Sequence, residues 1–345
     1  MYRKMGKDNL AINDVDIWIQ KLKKYCFAQK ERGYQLGCDF FEARITIVKP
    51  IDISKDDVIV LCPQKDDYTR IKEFVEYHRK IGVKKFVILD NDSTDGSFEW
   101  LKEQEDVFLL QTKDEYTTIR REAWINRMFA YFGYNRWYIV LDSDELLTYD
   151  DCENKTISDL INYFSYHGIK RGLALLLDMY AKPDFYIEGK NDYYIRDCRF
   201  YDVDSYNIKY GSYVNIIEGG PRNRVMGTSS FLFKYPVLYI DANDLQCSSH
   251  YLFPYKKNKQ DNCQIVIRHY KFLAGDLERY KQRQIKGNFS SGSFEYKKYV
   301  QVLEANKDIC FIYEGSSEYV KSSSLRNIKD VYKYIDWTDV NENNA

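Results

Sequence analysis

No stretch of this 345-residue chain approaches the roughly 18 consecutive apolar residues that a membrane-spanning helix needs, so no span is expected. The eight cysteines, at 26, 38, 62, 152, 198, 247, 263 and 310, form no C-x-x-C pair, which argues against a zinc ribbon. Cys62 lies in an apolar run, where a buried free thiol is usual. No secretory leader is evident, and a reducing, cytoplasmic setting is expected, with attachment to the inner membrane face left open. Neither sign of charge is in excess. With 51 Lys and Arg against 52 Asp and Glu, the net charge of −1 excludes a surface built to coat nucleic acid. There is no internal repeat and no low-complexity linker.

The rest of the composition is that of an ordinary globular protein, long enough for one large domain or two smaller ones. Tyrosine is abundant at 32 residues, beside much Lys, Asn and Ile, which fits AT-rich codons better than a surface of sugar-stacking rings.

From Val58 the pattern alternates strand and helix. Val58–Cys62 is a buried strand, the loop Pro63–Asp67 follows it, and a helix is expected over 68–81 with Ile71, Phe74, Val75 and His78 on one face. Lys85–Leu89 is the next strand, ending in Asp90-Asn91-Asp92-Ser93-Thr94-Asp95-Gly96. A helix from Ser97, a strand over 107–110, a helix over 116–132 and a strand over 137–141 complete the series. This order implies a doubly wound, mainly parallel sheet with right-handed crossovers, whose ligands bind beyond the carboxyl ends of the strands. Three polar, acidic loops stand there: 63–67, 90–96 and 142–145.

Before this core, a helix is expected over 13–32, capped by Asn13 and closed by Gly33, then a strand over 40–48. After it come a helix over 157–167, a strand over 172–177 and a weakly patterned region over 181–265. Within that region Glu218-Gly219-Gly220-Pro221-Arg222-Asn223-Arg224 reads as irregular. Helices over 276–286 and 294–304 lead to a polar, weakly ordered tail.

The sharpest stretch is Asp142-Ser143-Asp144-Glu145, directly after the buried strand. Residues i and i+2 of an extended chain point the same way, so Asp142 and Asp144 can present two carboxylates to one point. Such a pair repels itself unless a hard divalent cation neutralises it. The plain alternative is an acidic loop that ends a strand.

Together, Asp90 to Gly96 and Asp142 to Glu145, with Lys65-Asp66-Asp67, Tyr77-His78, Gly82-Val83, Leu177-Asp178-Met179-Tyr180, Gly219 to Arg224 and His269-Tyr270-Lys271-Phe272, resemble the family-2-like glycosyltransferases of GT-A fold. The likeness is to the bacterial subgroup with DNDSTDG and DxDE motifs and covers about residues 58–300. It departs at Asp66-Asp67, where the pattern has Asn-Glu, so the second side chain is shorter.

The resemblance implies transfer of a sugar from a nucleotide-diphosphate donor to an acceptor hydroxyl, in a GT-A-like (Rossmann-like) α/β fold. It assigns a divalent cation, Mn²⁺ or Mg²⁺, to Asp142 and Asp144, with His269 completing the site and His250 competing for that place. Pro63, Lys65, Asp66, Asp90, Asp92 and Ser93 are expected to bind the nucleotide sugar, with Arg120, Arg222 and Arg224 toward its phosphates. Ser93 and Asp95 could equally cap a helix. An inverting transfer needs a base for the acceptor hydroxyl. Asp178 ranks ahead of Glu218 for that role.

The implied organisation is an N-terminal extension over 1–55, a transferase domain over 56–290 with a nucleotide half (56–150) and an acceptor half (151–290), and a helical tail over 291–345. A glycan or glycoconjugate acceptor, as in surface polysaccharide synthesis, is the expected partner. Three rivals remain. A haloacid-dehalogenase-type phosphatase would carry its Asp-x-Asp near the domain start, with Thr or Val where Leu146 stands. A sugar-phosphate nucleotidyltransferase would need a Gly-rich basic first loop. An inactive sugar-binding domain is disfavoured by the intact acidic triplet.

Overall fold

The computed structural model describes residues 10–188, 191, 193–306 and 309–341. It forms two compact units, each assembled from separated stretches of chain. The first runs up to Ser143 and adds Gly168–Arg171 and Tyr235–Asn258; the second takes Asp144–His167, Gly172–Lys234 and the chain from Lys259 on.

The first unit is built on β1 (Thr46–Lys49), β2 (Ile59–Gln64), β3 (Lys85–Asp90), β4 (Val107–Gln111) and β5 (Arg136–Val140). They lie in the order β1-β4-β3-β2-β5. β4, β3, β2 and β5 are mutually parallel, β1 is antiparallel on β4, and Val237–Ile240 pairs antiparallel with β5. Ile59–Cys62, Phe86–Leu89 and Tyr138–Val140 are buried, as apolar runs covered on both faces should be. The strand order reverses between β2 and β5, and such a switch point is where α/β sheets open a ligand crevice. The expected mixed α/β architecture with a mainly parallel sheet is therefore present. The helix Tyr68–Lys80 buries the face expected of it, and Thr118–Phe132 is capped by Thr117.

The chain ahead of β2 folds differently from its pattern. In place of one helix and a strand over 40–48 there are two helices, Val15–Ala28 and Lys30–Glu42, and only Thr46–Lys49 is strand. Gly33 does not end a helix. It lies inside the second one, where an added Cβ would stand 2.8 Å from the Cys26 Cα. Its missing side chain lets the two helices touch, so packing rather than capping explains the residue. Asn13 does not cap either: its side chain donates to the Tyr131 carbonyl, 2.9 Å away.

In the second unit, β6 (Glu145–Tyr149), β7 (Arg171–Asp178, here from Gly172) and the strand Ile265–His269 lie side by side. Ile265–His269 runs parallel to β7 and antiparallel to β6, and its register sets His269 opposite both Asp178 and Glu145. The pattern did not announce β6, because its first residue reads as the end of the acidic loop. The eight-residue strand Phe233–Ile240 was also illegible, since Lys234 and Pro236 break its apolar run.

The Gly-Gly-Pro stretch is not irregular. Gly220–Arg224 is a short helix with Pro221 in its first turn, where no amide is missed. Gly219, at φ +113°, lies so close to Ser205 that a Cβ would stand 2.0 Å from its carbonyl oxygen. Nor is the described part of the tail loose. Arg326 makes two bonds to Asp150 at 2.8 and 2.7 Å, Trp337 packs near Tyr149 and Tyr163, and Leu325, Val331 and Ile335 are buried.

Candidate functional site

Two clusters of polar groups stand out, one in each unit. The first gathers the loops after β2, β3 and β5. Gln64, at the end of β2, donates to Asp90 Oδ1 at 2.9 Å and to Ser93 Oγ at 3.2 Å. Asp90 Oδ2 accepts from the Ser93 amide at 2.9 Å. Both Asp90 oxygens are thus occupied inside the protein, and the residue is fully buried. Burial raises its pKa, against the opposing pull of the Ser93 bonds. Asp90 therefore ties two loops together and presents no oxygen at the surface.

Lys65 donates to the carbonyls of Asn91 and Asp92 at 2.6 and 2.7 Å. The Asp66 amide donates to Ser93 Oγ, and Asp66 Oδ1 accepts from the Thr94 amide at 2.7 Å. Asp66 and Asp92 both take left-handed backbone, φ 46° and 58°, which short polar side chains tolerate. Asp92 keeps a half-exposed carboxylate beside Lys113, 3.4 Å away. Asp95 accepts from the amides of Tyr68 and Ser97, so it caps the helix that follows β2 as well as its own. Pro63 lies within β2 and is half-buried.

Asp67, buried, joins two of these loops by accepting from Ser143 Oγ at 2.5 Å. Asp142 Oδ1 accepts from Arg121 Nε and Nη2 at 3.0 and 2.6 Å. Arg120 points elsewhere, to the Glu115 carbonyl and toward Asp39 at 3.5 Å. Of the adjacent pair, then, Arg121 serves the acidic loop. Gln64, Asp67, Arg121 and Ser143 were not among the expected site residues. The signal in the sequence was that Gln64, Asp67 and Ser143 lie in the acidic loops themselves and that Arg121 adjoins Arg120 at the start of a helix.

The second cluster centres on His269. Its Nδ1 lies 2.6 Å from Asp178 Oδ1, and its Nε2 faces Asp144 Oδ2 at 3.5 Å. Asp144, Glu145 and His269 each bring one ligand atom within 4.8 Å of the others. Glu145 also bonds Lys234, which partly neutralises it. Asp178 Oδ2 accepts from Arg222 Nε at 2.7 Å, and both partners are buried. Burial raises the Asp178 pKa, but Arg222 and then His269 more than reverse this and leave it below the ordinary value. Burial pulls His269 down, and the two carboxylates outweigh it, so its pKa ends raised.

Arg224 is held by Asp202 at 2.9 Å and by the Phe311 carbonyl, over the Tyr313 ring. Glu218 lies on a two-stranded ribbon, bonded to Lys209 at 2.5 Å and one-fifth exposed. Of the two histidines considered, His269 joins the carboxylates; His250 lies in the first unit.

A buried imidazole beside carboxylate oxygens, at the ends of strands, is a donor set that can hold a metal ion. Residues 57–188 match the model of glycosyltransferase family 92. This segment, less than half of the chain, thus resembles a glycosyltransferase domain. The match spans the three acidic loops and Asp178; Arg222 and His269 lie beyond it. It names family 92 and does not extend to the family-2-like subgroup.

Among solved structures, the mannosyltransferase PcManGT from Pyrobaculum calidifontis, in complex with GDP-Man and Mn2+, aligns at 15% identity over 50% of this chain and 49% of that one, TM-score 0.25. The apo structure of the WbbM bifunctional glycosyltransferase aligns at 9% identity over 84% and 40%, TM-score 0.24. The chain spans half or less of the length of either, and likeness of this degree says nothing about the site. No curated protein matches. Among the described residues, no helix is long and apolar enough to cross a membrane.

Proposed function

We propose that the chain is a metal-dependent glycosyltransferase that moves a sugar, with inversion, from a nucleotide-diphosphate donor to a hydroxyl of a glycan or glycoconjugate. The observation that carries this is the row across β6, β7 and Ile265–His269, which sets an imidazole nitrogen 3.5 Å from the Asp144 carboxylate. The carboxylate oxygens of this set suit Mn²⁺ or Mg²⁺. Asp144 and His269 would hold the ion with Glu145 beside them, while the other carboxylate of the Asp-x-Asp motif, Asp142, is engaged by Arg121. Bound there, the ion offsets the charge that develops on the diphosphate leaving group.

The remaining roles belong to the chain's own residues. The loops pinned by Gln64, Lys65 and Asp66 form the nucleotide side, with Asp92 as its exposed carboxylate. Arg121 holds Asp142 in place. Of the two candidate bases, Asp178 is buried and engaged by Arg222 and His269, and Glu218, paired with Lys209, is the one that solvent reaches.

Mn²⁺ and a nucleoside diphosphate together should raise the melting temperature. Ligand at a hundred times Kd stabilises by about 2.7 kcal/mol. Asp144→Ala and His269→Ala should remove the Mn²⁺-dependent part. Titration calorimetry with Mn²⁺ present, showing no binding of UDP, GDP, CDP or dTDP, would sink the reading.

A further inference from the structure

His269 stands between two carboxylates, and the nearer one meets Nδ1. Its Nδ1 meets Asp178 at 2.6 Å, and its Nε2 looks toward Asp144 at 3.5 Å. Which nitrogen carries the proton in the neutral ring decides whether Nε2 offers a lone pair or a hydrogen. Asp178 makes that choice, because an ionised carboxylate accepts only. What fixes Asp178 in turn is Arg222, whose Nε donates to the other oxygen at 2.7 Å. A guanidinium has no acceptor, so the atom that faces it must be an oxygen.

Arg222 itself has little freedom. It sits in the five-residue helix Gly220–Arg224, entered through Gly219 in a conformation closed to other residues. Thr228 returns to the Arg222 carbonyl through its amide at 3.1 Å and its hydroxyl at 3.2 Å.

We propose that Arg222 and Asp178 form a positioning pair that fixes His269 as the Nδ1–H tautomer and so presents Nε2 as a lone pair for the cation at Asp144. This rests on the metal-dependent reading above for its ligand, but not for its chemistry, since the tautomer is set without metal. Hydrogen bonds from a ligating imidazole to a carboxylate orient metal-site histidines generally. Here the arginine adds a second constraint. Asp178→Asn keeps size and shape, yet Arg222 would still demand an oxygen. The amide would turn its NH₂ toward Nδ1, which must then accept. The ring proton would move to Nε2 and face Asp144, and the lone pair would be lost.

The test uses the full chain labelled with ¹⁵N-histidine, metal-free, at a pH where the ring shifts show a neutral imidazole. His269 is assigned by the signal missing from His269→Gln. The wild type should show a protonated Nδ1 and an unprotonated Nε2. Asp178→Asn should show the reverse and bind Mn²⁺ about 10–100-fold more weakly by calorimetry, and Arg222→Lys should keep the wild-type tautomer. A wild-type spectrum with the proton on Nε2 overturns the proposal, and that measurement stands even if no variant folds. So does an Asp178→Asn protein whose tautomer and Mn²⁺ affinity are both unchanged. Wild-type protein that binds Mn²⁺ but no nucleoside diphosphate would instead remove the transferase reading and leave the positioning pair intact.

Discussion

Lys21 shows how far a single residue can be pushed by its surroundings. It is 4% exposed, donates to the Asp244 carbonyl at 2.9 Å and stands 4.0 and 4.2 Å from the rings of Trp18 and Tyr134. Burial lowers its pKa to about 7, against the pull of Asp244 and Asp241. Between about 7 and the ordinary lysine value the unfolded chain binds the extra proton, so stability rises with pH through that window. Lys21→Met should abolish this contribution, on the order of a few kcal/mol. Urea unfolding at pH 7 and pH 9.5 checks it: the rise in wild-type stability should shrink in the variant, and equal rises would refute the account.

The same scale marks the limit of sequence reading. The family resemblance named Asp142, Asp144 and His269 together, and of these the structure brings Asp144 and His269 side by side. The partners that define their work could not be named in the same way. Glu145, Arg121 and Arg222 each sit beside a carboxylate or ammonium that is 21 to 89 residues away along the chain.

At the scale of elements, strands β2 to β5 were legible because burial on both faces leaves an unbroken apolar run. The helix pair at the N-terminus was not, because a glycine that permits contact looks the same in sequence as one that ends a helix. That distinction can be measured. Gly33→Ala drives a Cβ to 2.8–2.9 Å from Cys26 backbone and should cost about 1–3 kcal/mol. Gly37→Ala, whose nearest neighbour is 3.9 Å away, should gain about 0.5–1 kcal/mol from helix propensity. Equal effects in thermal unfolding would show that Gly33 has no packing role.

At the scale of the molecule, each unit is stitched from chain segments far apart in sequence. The first unit needs Val237–Ile240 on the edge of β5, Asp244 for Arg171 and Gln246 for Asn126. A fragment ending at Ser143 lacks all three and should show no cooperative thermal transition by circular dichroism. A sharp transition would mean that the later segments are dispensable.

That edge of β5 also sets a timetable. The ribosome completes β5 at Val140 and must add residues 141–236 before the partner strand at Val237 emerges. At about 5–20 residues per second the wait is roughly 5–20 seconds. Through that interval a row of unsatisfied amides and carbonyls faces outward, the kind of edge on which nascent chains aggregate. The order in which this protein is made therefore leaves its first half exposed until its second half arrives, and the demand for a chaperone should fall in that window.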